Sequence, residues 1–352
     1  MPTGPNSRSP EIAADSKDPP LEAKLDFLRD PHSFPDAPQT VGVVETHFAW
    51  VFLSKRFVYK LKKPIRFQNI DFTSVHTRRA NCELEVTLNR RLAAAVYIGV
   101  VPLTFTGPRL CLEGDGPAVD WLVKMHRLPA ELTLERKTEE GAVSTDAVRP
   151  LVRKLAAFYA RAPRAPWTGA RYRRHLARQA SRYAEHLAEP ALGLESMIVD
   201  KIAAAQRQFI DERAPLLEAR IGEGRVVDAH GDLRPEHVFL TEDPQIIDCL
   251  EFAADLRLLD AAEEMLFLAL EVERLGGEAL AADLLALYRE LCEDPVDEAL
   301  ISFYRSQRAF VRALLSAWHL DEDIPADKAK KWRDRAHWYL AAAHSSIHEA
   351  LG

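Results

Sequence analysis

The stretch His230-Gly231-Asp232-Leu233-Arg234-Pro235-Glu236-His237, followed by Ile246-Ile247-Asp248, puts carboxylates, a guanidinium and imidazoles into one short run of chain. Those side chains suit phosphoryl transfer. One carboxylate must take the proton of an attacking hydroxyl, and another must hold the metal that neutralises nucleotide phosphates. Asp232 fits the first task and Asp248 the second. Arg234, two residues after Asp232, suits contact with the transferring phosphate, because a planar guanidinium matches phosphate oxygens. His230 reads as structural, holding the loop by hydrogen bonds.

The flanking residues describe a loop between short buried strands. Val226-Val227 leads in, Val238-Phe239-Leu240 leads out, Thr241-Glu242-Asp243-Pro244 is a turn, and Gln245-Ile246-Ile247 is a second apolar strand. This hairpin is expected to bring Asp232 and Asp248 near one another. In the N-terminal half, Val41–Glu45, Trp50–Leu53 and Phe57–Lys62 read as strands. Alternation along the last of these sends Val58, Lys60 and Lys62 to one face and Phe57, Tyr59 and Leu61 to the other. A lysine that positions phosphates needs an anionic partner to hold its flexible ammonium. The helix expected over Thr77–Ala95, with Leu84, Leu88, Arg91 and Leu92 at helical spacing, supplies Glu85, or Glu83 in its place. The competing readings are plain: Lys60 and Lys62 as the solvent face of an edge strand, and the glutamates as surface partners of Arg90 or Arg91.

The order of these parts is that of the protein-kinase signature. There, His-Arg-Asp-Leu is followed five residues after the Asp by Asn, then by a metal-binding Asp, and a small-x-Lys strand supplies the phosphate lysine. Val58-Tyr59-Lys60 fits that strand, with Val58 lining an adenine pocket. Position 237 departs from the pattern, since His stands where Asn offers magnesium a hard oxygen. An imidazole nitrogen suits softer metals. His237 therefore has three readings: a ligand of Mn²⁺ or weakly of Mg²⁺, a hydrogen-bond partner orienting Asp232, or the mark of a site that binds nucleotide without efficient transfer.

His230-Gly231-Asp232-Leu233 resembles the loop of the aminoglycoside phosphotransferase (kinase-like) superfamily. Val44 through Leu53, Tyr59-Lys60-Leu61-Lys62-Lys63-Pro64, Asp71-Phe72, Cys82 through Glu85 and Leu88-Asn89-Arg90-Arg91-Leu92 resemble an uncharacterised bacterial branch of it, over residues 21–320. The resemblance implies a bilobal α+β fold of the protein-kinase type, with a small β-rich N-lobe and a large, mainly helical C-lobe. It implies ATP with Mg²⁺ or Mn²⁺ as cofactors, and Glu85 as the partner of Lys60. It also puts a phosphate-covering turn at Thr46-His47-Phe48-Ala49, which lacks glycine, and an interlobe hinge near residues 126–129. Some members of the branch carry a fused P-loop ATPase domain. This chain has no Gly-x-x-x-x-Gly-Lys-Ser/Thr and is expected to end before one.

Composition narrows the classes further. With 352 residues, 47% apolar and 28% charged, the chain is that of a soluble globular protein. A net charge of −7 argues against a general nucleic-acid binder. Four cysteines without a Cys-x-x-Cys pair argue against a disulfide framework or zinc ribbon. No apolar run approaches a membrane span and no signal peptide is legible, so a cytoplasmic protein is expected. Residues 1–20 read as a disordered tail, 21–127 as the N-lobe and 128–352 as the C-lobe. Helices are expected at Asp146–Ala162, Tyr172–Ala188, Met197–Ile221, Leu259–Arg274, Ala279–Cys292, Val296–Leu320 and Pro325–Leu351, with the motif loop as their only β-like interruption. Glu251 reads as metal or substrate support, or as a helix-terminal ion pair; Arg257, Arg308 and Arg312 read as ordinary ion pairs before anion contacts. Two functions follow from the whole. The first is an ATP-dependent phosphotransferase acting on a hydroxyl of a small molecule. The second is a nucleotide-binding regulatory pseudokinase working through a protein partner.

Overall fold

Val, Phe, Tyr and Trp, frequent from residue 41 to 62, favour pleated strands, whose branched and aromatic side chains pack on a half-buried surface. In the computed structural model, which describes residues 11–12, 19–67, 70–107, 109–320 and 324–352, they form part of a six-stranded sheet. Its order is Gly42–Glu45, Ala49–Leu53, Phe57–Lys62, Ala118–His126, Tyr97–Thr106 and Arg109–Leu112, and every neighbouring pair is antiparallel. The expected tail over residues 1–20 lies mostly outside the described residues; within it, Glu11–Ile12 pairs with Ile65–Phe67.

The chain divides into two units, residues 1–132 with 245–253, and residues 133–244 with 254–352. The boundary thus falls at 132/133 instead of 127/128. The segment carrying Asp248 and Glu251, expected in the helical part, belongs to the β-rich unit.

Two apolar layers cover the β-rich unit's sheet. On one face Leu25 and Leu28 of helix Leu21–Arg29 join Phe52, Tyr59, Leu61 and Leu122. On the other, Cys82, Val86 and Ala93 of helix Val75–Ala93 meet Val123 and Met125, with Val58 packed against them. That helix starts earlier than expected because Ser74 caps it, its hydroxyl accepting the Thr77 N–H at 3.1 Å. Leu84, expected in the buried stripe, is exposed. Leu88 and Leu92 of that stripe are buried, and the buried face also includes Arg78, Asn81, Glu85 and Asn89, polar groups that an apolar count cannot see.

The second unit is helical, with two departures from expectation. Met197–Ile221 is not one helix but two, Ser196–Glu212 and Ala214–Gly222. Pro215 sits in the first turn of the second helix, where its missing N–H costs nothing, and it cannot continue the first. Leu258–Asp260, whose last two residues were expected to open a helix, forms a strand antiparallel to Val226–Asp228, a second β interruption. Buried Arg220 meets both carboxylate oxygens of Asp260 (2.6 and 2.7 Å) and both of Asp294 (2.6 and 2.7 Å). Asp260 in turn caps helix Ala261–Arg274, accepting the Ala262 N–H at 2.9 Å. That helix fixes the motif loop. Among the described residues no helix is long and apolar enough to cross a membrane.

Candidate active site

Strand Phe57–Lys62 delivers Lys60 and Lys62 to the sheet face covered by helix Val75–Ala93, and Glu85 of that helix lies fully buried beneath them. Lys60 Nζ donates to Glu85 Oε1 at 3.0 Å and to Asp248 Oδ1 at 2.6 Å. Lys62 Nζ pairs with Glu85 and with Glu251. Neither lysine is a solvent-face residue, and Glu83 instead pairs with Arg79 on the surface. Burial alone would push both ammonium groups toward lower pKa, but Asp248 and Glu85 around Lys60, and Glu251 and Glu85 around Lys62, reverse this and keep both charged. For Glu85 burial works upward, and the two lysines overcome it and hold its carboxyl below the usual range. Burial wins at Glu251, whose carboxyl is raised despite Lys62.

Two lysines thus balance Glu85 and Glu251, leaving Asp248 as the surplus carboxylate. It is also the accessible one, its side chain 42% exposed against 0% for Glu85. Asp248 is held at φ +62°, a left-handed backbone that residues other than glycine adopt at some cost. Its N–H donates to the buried Tyr97 hydroxyl (3.2 Å), and the next N–H, of Cys249, donates to Asn89 Oδ1 (2.9 Å). A hard, accessible oxygen beside a fixed ammonium fits a divalent cation with nucleotide phosphates. The turn expected to cover phosphate is closed without glycine. Thr46 Oγ1 accepts the Ala49 N–H at 3.0 Å, and the Phe48 ring packs on Phe252 at 4.9 Å.

In the helical unit, fully buried Glu264 gathers the motif loop. It accepts the Gly231 N–H (2.6 Å), the His230 N–H (3.2 Å) and the Tyr159 hydroxyl (2.9 Å). Its own burial raises its carboxyl, and these donors offset part of that. Gly231 sits at φ +89°, which only glycine adopts without strain. Buried His230 accepts the Asp232 N–H at Nδ1, 3.3 Å away. Arg234 Nε lies 3.1 Å from both Asp232 carboxylate oxygens.

His237 closes the loop. Its Nδ1 lies 2.9 Å from the Asp232 carbonyl oxygen and its Nε2 lies 3.1 Å from an Arg234 Nη. A carbonyl can only accept and a guanidinium can only donate, so Nδ1 carries the proton and Nε2 presents its lone pair to Arg234. Of the three readings open in the sequence, this geometry matches the one in which His237 orients Asp232. Metal ligation at Nε2 would have to displace a cation.

Arg257 pairs with Asp228 at 2.8 Å, Arg308 with Glu263 at 2.7 Å and Arg312 with Glu271 at 2.8 Å. Sequence reading missed Glu264, Tyr97, Asn89 and the depth of Lys62. A carboxylate directly abutting the apolar run Met265–Leu270 was the available signal for Glu264, since a charge buried there needs partners. Glu251 could not be resolved, because its partner lies far away in sequence.

No family model matches this chain. Uncharacterized proteins of Mycobacterium bovis and Mycobacterium tuberculosis are 31% identical to it over 320 residues, covering 90% of this chain and 61% of theirs. The chain therefore spans about three-fifths of the length of these relatives. Among solved structures, an ethanolamine kinase of Plasmodium vivax aligns with TM-score 0.47 at 12% identity, over 86% of this chain and 81% of that one. A choline/ethanolamine kinase family protein of Mesorhizobium loti aligns with TM-score 0.51 at 12% identity, over 94% of this chain and 100% of that one. An antiparallel sheet backed by a helix bearing the lysine's glutamate, a helical unit holding the motif loop, and this alignment over nearly the whole chain agree: the chain has the α+β fold of that choline/ethanolamine kinase family protein.

Proposed function

We propose that this chain is an ATP-dependent phosphotransferase that moves the γ-phosphoryl group to a hydroxyl of a small molecule. The observation carrying the proposal is Lys60, bonded at once to buried Glu85 and to accessible Asp248. A surface ion pair needs neither the buried carboxylate nor the left-handed backbone at Asp248. ATP with Mg²⁺ or Mn²⁺ supplies the phosphoryl group and the charge that neutralises it. The chain's own residues do the rest. Lys60, fixed by Glu85, orients phosphate oxygens, and Asp248 offers the metal an oxygen. Asp232 accepts the acceptor's hydroxyl proton, and Arg234, held beside it, faces the moving charge.

Thermal unfolding with and without ATP and either metal tests the reading. A ligand that binds only the native state must raise Tm, by about 2.7 kcal/mol of stability at a hundredfold excess over Kd. The shift is expected in wild type and lost in Lys60→Met. An unchanged Tm at millimolar nucleotide with both metals contradicts the proposal.

A further inference from the structure

Helix Ala261–Arg274 carries a second buried carboxylate on the face that anchors the motif loop. Glu271 stands seven residues after Glu264, two helical turns on, about 10 Å along the axis. Three guanidinium groups converge on it. Arg312 Nε donates at 2.8 Å, Arg274 Nε at 3.3 Å and Arg335 Nη at 3.4 Å, and the Tyr339 hydroxyl also pairs with it. Three arginines thus share this one carboxylate at hydrogen-bonding range. Elsewhere in this unit a buried arginine has at least one carboxylate to match it: Arg220 meets Asp260 and Asp294, and Arg308 meets Glu263.

The hydrogen-bond count agrees with the charge count. The Nε atom of Arg335 is buried and has no hydrogen-bond partner, a costly state for a charged donor unless something else completes it. Arg312 is itself more than nine-tenths buried, whereas Arg274 and Arg335 are partly exposed and reachable from solvent. The cluster also adjoins the loop. Helix Ala261–Arg274, which carries Glu271 and Arg274, packs against Pro235–His237 of that loop.

We infer that this cluster binds an anionic group of the acceptor, a phosphate ester or a carboxylate, through Arg274, Arg312 and Arg335, with Asp232 addressing the acceptor's hydroxyl. The inference rests on the phosphotransferase reading for its word acceptor, but the anion site is testable without nucleotide. Its consequence is a substrate class. Polycationic amino sugars and amino alcohols are disfavoured, and hydroxylated acids or sugar phosphates are favoured.

Isothermal titration of the full chain, without nucleotide, uses glycerol 3-phosphate, glycerate, glycerol and ethanolamine as probes. At least one anionic probe is expected to bind about tenfold or more tightly than glycerol and ethanolamine, and which one identifies the anion as phosphate ester or carboxylate. Arg335→Gln and Arg274→Gln, chosen because both side chains are partly exposed, are each expected to weaken that binding about tenfold while leaving the ATP–metal Tm shift in place. Lys60→Met is expected to do the reverse. Glycerol or ethanolamine binding as well as the anions, no binding of either anion, or anion binding indifferent to both arginine substitutions overturns the inference. Anion binding of the expected kind without any nucleotide shift upholds the anion site and removes the phosphotransferase reading instead.

Discussion

Lys62 separates two roles that neighbouring lysines can play. Its ammonium is buried between Glu85 and Glu251, whereas Lys60 reaches outward to Asp248. Removing Lys62 leaves buried Glu251 without its lysine and takes one of two lysines from Glu85, a change that typically costs about 3–5 kcal/mol. Lys62→Met is therefore expected to lower the urea midpoint markedly, and more than Lys60→Met does. Equal midpoints for the two variants contradict the assignment. At position 237 the geometry argues against direct metal contact, since Nε2 faces Arg234. His237→Asn is expected to leave the Mn²⁺/Mg²⁺ activity ratio unchanged and to lower turnover by loosening Asp232. A ratio that moves toward Mg²⁺ restores His237 as a ligand.

At the scale of elements, one helix carries the loop's position. Glu264 accepts three donors at once, which a neutral amide cannot copy because half of its polar edge is itself a donor. Glu264→Gln is expected to reduce turnover at unchanged nucleotide Tm shift, and to cost about 1–3 kcal/mol of stability. A variant with wild-type turnover would show that the loop holds itself. The strands and most helices were legible beforehand, because period-two and 3.6-residue patterns are local signals. Asp232, Lys60 and Asp248 likewise stand out in the sequence by residue type and spacing alone. The break at Arg213 was missed for want of weight on Pro215. The buried face of helix Val75–Ala93 was legible only in part, at Leu88 and Leu92, because Glu85 and Asn89 are buried by polar contacts, which no apolar periodicity reports. Glu251 and Glu264 find their partners Lys62 and Gly231 through tertiary packing, so their roles emerge only with the fold.

In the molecule as a whole, the residues assigned to nucleotide and those assigned to the acceptor belong to different compact units. Lys60, Glu85 and Asp248 lie in the β-rich unit, and Asp232, Arg234 and His237 in the helical one. Binding and transfer should therefore be separable by substitution. Asp232→Ala addresses this most directly, assayed for ATP–metal binding by Tm and for ATP-dependent phosphoryl transfer across hydroxylated metabolites, anionic ones included. The expected result is an unchanged nucleotide shift with transfer reduced ~10²–10⁴-fold, the usual loss of a positioned general base. Transfer by Asp232→Ala at the wild-type rate, or no transfer by wild type to any acceptor despite tight nucleotide binding, contradicts the assignment, and the second result leaves a nucleotide-binding regulator in its place.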